Sequence, residues 1–203
     1  MKKFSIPDIH SKINANEKIS FVTAYDFPTS FYAKEAEIEM ILVGDSGGMC
    51  LLGKKSTMEV TMDEMLIMTE AVAKANSSSL IIADMPFMSY QISNEEAVEN
   101  AGNFMRFNID GVKLEGGARM SERVRSIVDA GIPVMGHLGL TPQSLAQMGG
   151  YKVQGKSIES MDTLMKDIES LINAGAFSIL LEAIPNEITE IITNNFDIMF
   201  CVN

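Results

Sequence analysis

Short apolar runs alternate with segments of helical spacing along nearly the whole chain, and this alternation limits the possible folds more than any other feature. The strand-like runs are Ile19–Ala24, Met40–Val43, Leu80–Ala83, Gly111–Leu114, Pro133–Gly136, Ser178–Leu181 and Asp197–Val202. Between them the spacing predicts helices over Pro28–Ala36, Thr61–Ala75, Ser93–Phe107, Arg119–Ala130, Ile158–Ala174 and Asn186–Asn194. Two starts carry the capping-box pattern, Thr61 with Glu64 and Ser93 with Glu96. Gly131 and Gly175 follow two of the helices as stop signals. Strand and helix in strict alternation are the signature of parallel βα units.

Five of the runs end on an ionisable residue: Asp45, Asp84, Glu115, His137 and Glu182. In a (β/α)8 barrel all these strand ends converge on one mouth, whereas an open doubly wound sheet gathers its ligands at one switch point. The pattern therefore favours an α/β barrel, folded as a single domain over residues 1–203. A complete barrel takes about 250 residues. The expected barrel is thus incomplete at the C-terminus, with about seven strands and neither an eighth strand nor the terminal helices. Such a barrel leaves two sheet edges unpaired.

Composition narrows the function classes. A formal net charge of −11 argues against nucleic acid, because neutralising phosphates needs a basic face. Two cysteines, Cys50 and Cys201, are too few for a disulfide framework, and both read as small buried hydrophobes. The segment MKKFSIPDIHSK has no apolar stretch behind its lysines, and no run approaches the length of a membrane span. The expectation is a cytoplasmic protein with no membrane or nucleic-acid partner. Among its 16 methionines, Met65, Met68, Met161 and Met165 fall at helical spacing and read as core filler.

Carboxylates crowded at one edge repel unless a cation or a proton holds them. Asp45, Asp84 and Glu115 are hard oxygen donors with no soft ligand nearby, a set that suits Mg²⁺. The blander alternative for each is a helix or turn cap. Lys113 and Glu115 alternate in VKLEGG and so share one strand face. Lys113 is either half of an interior ion pair or a clamp for a substrate carboxylate, and the second reading is favoured. His137 sits between glycines in GHLGLTPQ, while His10 reads as surface. The apolar neighbours of Glu182 predict a raised pKa and a role as general base. GGYKVQG reads as a polar loop that would close over the mouth.

Seven motifs, in order, carry a family resemblance: TAYD at 23–26, VGDSGG at 43–48, ADMPFMSY at 83–90, VKLEGG at 112–117, GHLGLTPQ at 136–143, GGYKVQGK at 149–156 and LLEAIP at 180–185. The chain resembles the ketopantoate hydroxymethyltransferases from about Ile19 to Thr193. The resemblance implies a barrel of the phosphoenolpyruvate/pyruvate superfamily and a step of pantothenate biosynthesis. It implies transfer of the one-carbon unit of 5,10-methylenetetrahydrofolate to 3-methyl-2-oxobutanoate, giving 2-dehydropantoate. It also implies Asp45, Asp84 and Glu115 around Mg²⁺, with Asp45, Ser46, Asp84 and Lys113 on the keto acid. Glu182 matches the proton acceptor and His137 an active-site histidine. A homo-oligomer, up to a decamer, is implied as well. Two alternatives remain: a catalytically inactive fragment of that enzyme, and a Mg²⁺-dependent 2-oxo acid lyase on the same barrel.

Overall fold

A computed structural model describes residues 2–144, 150, 153–155 and 157–202. Seven parallel strands form one sheet in chain order: β1 (Phe21–Thr23), β2 (Met40–Val43), β3 (Leu80–Asp84), β4 (Gly111–Glu115), β5 (Val134–Gly139), β6 (Ser178–Glu182) and β7 (Met199–Val202). Every neighbouring pair is parallel. The order of strands in space repeating their order in sequence is the barrel arrangement, and the sheet curls most of the way round. The structure thus has the expected α/β barrel architecture, with no eighth strand among the described residues. A cavity of about 1110 Å³ opens between β1 and β7, lined in part by Phe21, Leu42, Leu180 and Met199.

The helices are α1 (Ile6–Asn14), α2 (Phe27–Glu35), α3 (Gly47–Cys50), α4 (Met62–Ala75), α5 (Asn94–Met105), α6 (Ser121–Asp129), α7 (Ile158–Asn173) and α8 (Asn186–Asn195). Strand alternation divides the apolar residues between two cores. Ile41, Val43, Ile81, Ala83, Val112, Leu114, Ile179 and Leu181 face outward and pack against helix residues such as Met65, Met68, Phe104 and Ile127. Met40, Leu42, Leu80, Ile82, Met135, Leu180 and Met199 face inward and meet Ile9 of α1. The methionines at 65 and 68 are core filler, as their spacing predicts.

Several boundaries differ from those read in the sequence. Helix α1 was not anticipated, although Asp8 accepts from the Ser5 backbone N–H (3.0 Å) as a box at its start. Asp26 caps α2 by accepting from Thr29 N–H at 2.7 Å, so that helix begins at Phe27 before its proline. Strand β5 runs on through His137 to Gly139, because its partners in β4 and β6 continue alongside it. Cys201 is buried as expected, but Cys50 is exposed, lying at the end of the four-residue helix α3. His10 is at the surface. Residues 149, 151 and 152 of the proposed closing loop lie outside the described residues.

Candidate active site

Strand register gathers the ionisable residues. Asp84 is level with Lys113, Glu115 with His137, and Gly139 with Glu182 across successive parallel pairs. Because side chains alternate, Lys113 and Glu115 point the same way, into the barrel. Leu180 and Met135 belong to the inner core, which places Glu182 and His137, two residues further along, on that inner face as well. Asp45 joins them from the turn after β2, where its backbone N–H donates to Asp84 Oδ2 at 3.0 Å. Asp45, Asp84, Lys113, Glu115 and His137 are all buried, while Glu182 is partly open to solvent.

The contacts form one continuous network. The Lys113 ammonium lies 2.6 Å from Asp84 Oδ1 and 3.2 Å from His137 Nδ1. His137 Nδ1 is 3.4 Å from Glu115 Oε1, and its Nε2 is 3.2 Å from Glu182 Oε2. That last contact is close but not aligned as a hydrogen bond. Ser46, on the VGDSGG turn, shares a hydrogen bond with the Tyr25 hydroxyl at 3.0 Å.

Burial and neighbouring charge set the protonation states. Burial, then the adjacent Asp84, pushes Asp45 up to about 7, despite Lys113 and a hydrogen bond from Gln143. Burial raises Asp84 too, against the pull of Lys113. Burial works to neutralise Lys113, but Asp84, Glu115 and Asp45 outweigh it and hold the ammonium above the usual lysine range. Burial and Lys113 push His137 down, yet its contacts with Glu115 and Glu182 win, so its pKa is raised. Glu182 departs from expectation. Burial alone would raise its pKa, but the His137 imidazole lowers it by more. The apolar flanks that predicted a raised value are not what its carboxylate faces.

Two residues without a role in the sequence reading are central. Gln143 donates from Nε2 to Asp45 Oδ2 and to the Met85 carbonyl, both at 3.0 Å, and from its backbone N–H to Glu115 Oε2 at 3.0 Å. Tyr90 donates its hydroxyl to Gln143 Oε1 at 2.7 Å. Both lie inside the quoted motifs, GHLGLTPQ and ADMPFMSY, but a neutral glutamine after a strand gives no chemical signal by itself.

Among the described residues, no three His, Cys, Asp or Glu side chains converge as a ready-made metal cage. Mg²⁺ does not require one, since it keeps several waters and takes one or two carboxylates plus substrate oxygens. Asp45 and Asp84 fit that pattern: two buried, mutually repelling oxygen donors whose ionisation a cation would favour. Glu115 stands behind them, with its oxygens turned to Gln143 and His137.

Comparison with known proteins identifies the family. Residues 3–201 match the model of a family described as ketopantoate hydroxymethyltransferase. The chain belongs to the ketopantoate hydroxymethyltransferase family. Its similarity to the 3-methyl-2-oxobutanoate hydroxymethyltransferase of Alkaliphilus metalliredigens (strain QYMF) is 50% identity over 198 residues, covering 97% of this chain and 70% of that one. The enzyme of that name from Ignicoccus hospitalis (strain KIN4/I / DSM 18386 / JCM 14125) is 51% identical over 193 residues, covering 95% and 73%. Among solved structures, phosphonopyruvate hydrolase in complex with oxalate and Mg²⁺ superposes with a TM-score of 0.74 at 12% identity, covering 100% of this chain and 72% of that chain. A 2,3-dimethylmalate lyase of the phosphoenolpyruvate mutase/isocitrate lyase superfamily superposes with a TM-score of 0.72 at 16% identity, covering 98% and 71%. At such identities the likeness establishes the fold alone. As a member of the ketopantoate hydroxymethyltransferase family the chain is a transferase, and its fold is the α/β barrel of those solved structures.

Proposed function

We propose that this chain transfers a hydroxymethyl group from 5,10-methylenetetrahydrofolate to 3-methyl-2-oxobutanoate, giving 2-dehydropantoate, with Mg²⁺ held by Asp45 and Asp84. The observation that carries the proposal is the convergence of Asp45, Asp84, Lys113, Glu115, His137 and Glu182 at one strand-end mouth. Mg²⁺ at Asp45 and Asp84 would supply Lewis-acid polarisation of the keto group, acidifying the carbon beside it.

The residues divide the remaining work. The lowered pKa of Glu182 keeps it ionised near neutral pH, so it is ready to accept the proton from that carbon. His137, 3.2 Å away, stabilises the negative charge of the Glu182 carboxylate. Lys113, kept protonated by its carboxylates, offers a cation to the substrate's carboxylate and to the charge that develops on the keto oxygen. Ser46 offers a hydroxyl to the same anion, oriented by Tyr25. The carbanion then bonds to the methylene carbon, and water supplies its hydroxyl as the two carbon–nitrogen bonds to folate break. The proton taken by Glu182 and the second proton of the water pass to the two freed nitrogens, and tetrahydrofolate leaves. Glu115 supports Asp45 and His137 from behind through Gln143 and its own carboxylate. The proposal extends to a single domain over 1–203, a cytoplasmic location and a homo-oligomer.

The test is formation of 2-dehydropantoate by the purified chain from the two substrates. Turnover is expected to vanish with a chelator and return with Mg²⁺. Glu182→Gln is expected to lower kcat by roughly 10²–10⁴-fold, as for loss of a general base. Full activity in Asp84→Ala would overturn the metal assignment, and absence of turnover in a folded, Mg²⁺-loaded chain would favour an inactive member of the family.

A further inference from the structure

We infer that Gln143 is a positioning residue that aims the Asp45 carboxylate, and that the Tyr90 hydroxyl sets which way its amide faces. The inference rests on the reading of Asp45 as a ligand for the metal and the keto acid.

An amide side chain has nearly the same shape in either orientation, so its partners alone decide which end carries the N–H groups. Here they decide it twice. The Tyr90 hydroxyl oxygen accepts from the Glu115 backbone N–H at 3.2 Å. Its own hydrogen is left to donate, and the closest acceptor is Gln143 Oε1 at 2.7 Å, against 3.3 Å for the Glu115 carbonyl. Gln91 Nε2 also donates to that amide oxygen, at 3.3 Å. On the opposite end, the Met85 carbonyl accepts only, so the end of Gln143 that faces it must be Nε2. The second N–H of the amide is thereby directed at Asp45 Oδ2.

The arrangement engages one Asp45 oxygen with a neutral donor in a buried place. It fixes the rotamer without adding a charge that would compete with a cation. A lysine or arginine there would neutralise Asp45 outright, and an acid would add a repelling charge. Gln143 also ties the two carboxylates on either side of it, since its backbone N–H holds Glu115 while its side chain holds Asp45. Groups that orient a metal ligand in this way carry much of its affinity.

Calorimetric titration with Mn²⁺ alone, on the parent chain and on Asp45→Ala, Gln143→Leu, Tyr90→Phe and the Gln143→Leu/Tyr90→Phe double variant, tests the inference. Asp45→Ala is expected to abolish binding, and Gln143→Leu to weaken it about 10–100-fold. Tyr90→Phe should weaken it in the same direction. If Tyr90 acts through Gln143, the double variant binds no more weakly than Gln143→Leu alone, within about twofold. Lowered melting temperatures with Mn²⁺ affinities within about twofold of the parent would reduce both residues to packing and overturn the inference. Should Gln143→Leu fail to fold, Tyr90→Phe decides alone, by weakened or unchanged affinity at an unchanged circular dichroism spectrum. A parent chain that takes up no Mn²⁺, or an Asp45→Ala variant that binds as well as the parent, overturns the metal reading and the inference with it. Normal behaviour of those two with parent-like Gln143→Leu overturns the inference alone.

Discussion

Lys113 is the residue on which the buried charges depend. Its ammonium touches Asp84 at 2.6 Å in a place nearly closed to water, and three carboxylates keep it protonated. Removing one partner of such a pair leaves a buried charge uncompensated, which costs about 3–5 kcal/mol. Lys113→Met is therefore expected to destabilise the metal-free chain by about that much at pH 8, read as a shift in denaturant midpoint, with a smaller loss when Mg²⁺ is present. The sequence exposed the candidate residues at this scale, because Asp45, Asp84, Lys113, Glu115, His137 and Glu182 all fall at strand ends or on one strand face. It did not reveal their protonation. Glu182 looked like an acid in apolar surroundings, but its carboxylate faces His137 from the neighbouring strand, and that contact reverses the shift.

Elements were legible where local chemistry specifies them. Thr61 and Glu64 make the full reciprocal box that starts α4: Thr61 Oγ1 accepts from Glu64 N–H at 3.3 Å, and Glu64 Oε2 accepts from Thr61 N–H at 2.8 Å. Thr61→Ala is expected to cost about 1 kcal/mol in equilibrium unfolding, the usual value of an N-cap. At α5 the same four-residue pattern yields the serine half, Ser93 Oγ accepting from Glu96 N–H at 3.1 Å. Helix α1 had its signals too, with Ser5 and Asp8 at capping spacing, Pro7 in the first turn and Ile6, Ile9 and Ile13 at helical intervals. They are easily overlooked because Ile9 is the one residue of α1 that is fully buried. What that residue clusters with, the inward residues of the barrel strands, is remote in sequence. The end of β5 was misjudged for a related reason. Gly139 has a φ of +90° and closes against the Glu182 backbone, a fit that only pairing with β6 requires.

At the scale of the whole molecule, burying Asp45 and Asp84 side by side ties stability to pH. Asp45 is raised from 3.8 to about 7, so the folded chain holds its proton more tightly than the unfolded one between those values. Its contribution is therefore fully present below about pH 4 and is lost as pH rises through about 7. The melting temperature of the metal-free chain is expected to fall across that window, on top of the opposite trend from lowered acids such as Glu39 and Glu182. Asp45→Asn should flatten the fall, and Mg²⁺ should restore stability at pH 8; calorimetric scans from pH 4 to 8 measure both. By itself the sequence determined the alternation of strands and helices, hence the parallel α/β barrel class, and the residues that end each strand. These follow from side-chain periodicity and capping, which act within a few residues. Tertiary structure alone decided that Asp84 lies level with Lys113 and Glu115 with His137, that Gln143 reaches Asp45 while Tyr90 reaches Gln143, and that Glu182 faces His137. Those outcomes depend on register between strands and on charges meeting across tens of residues of chain, which no local pattern encodes.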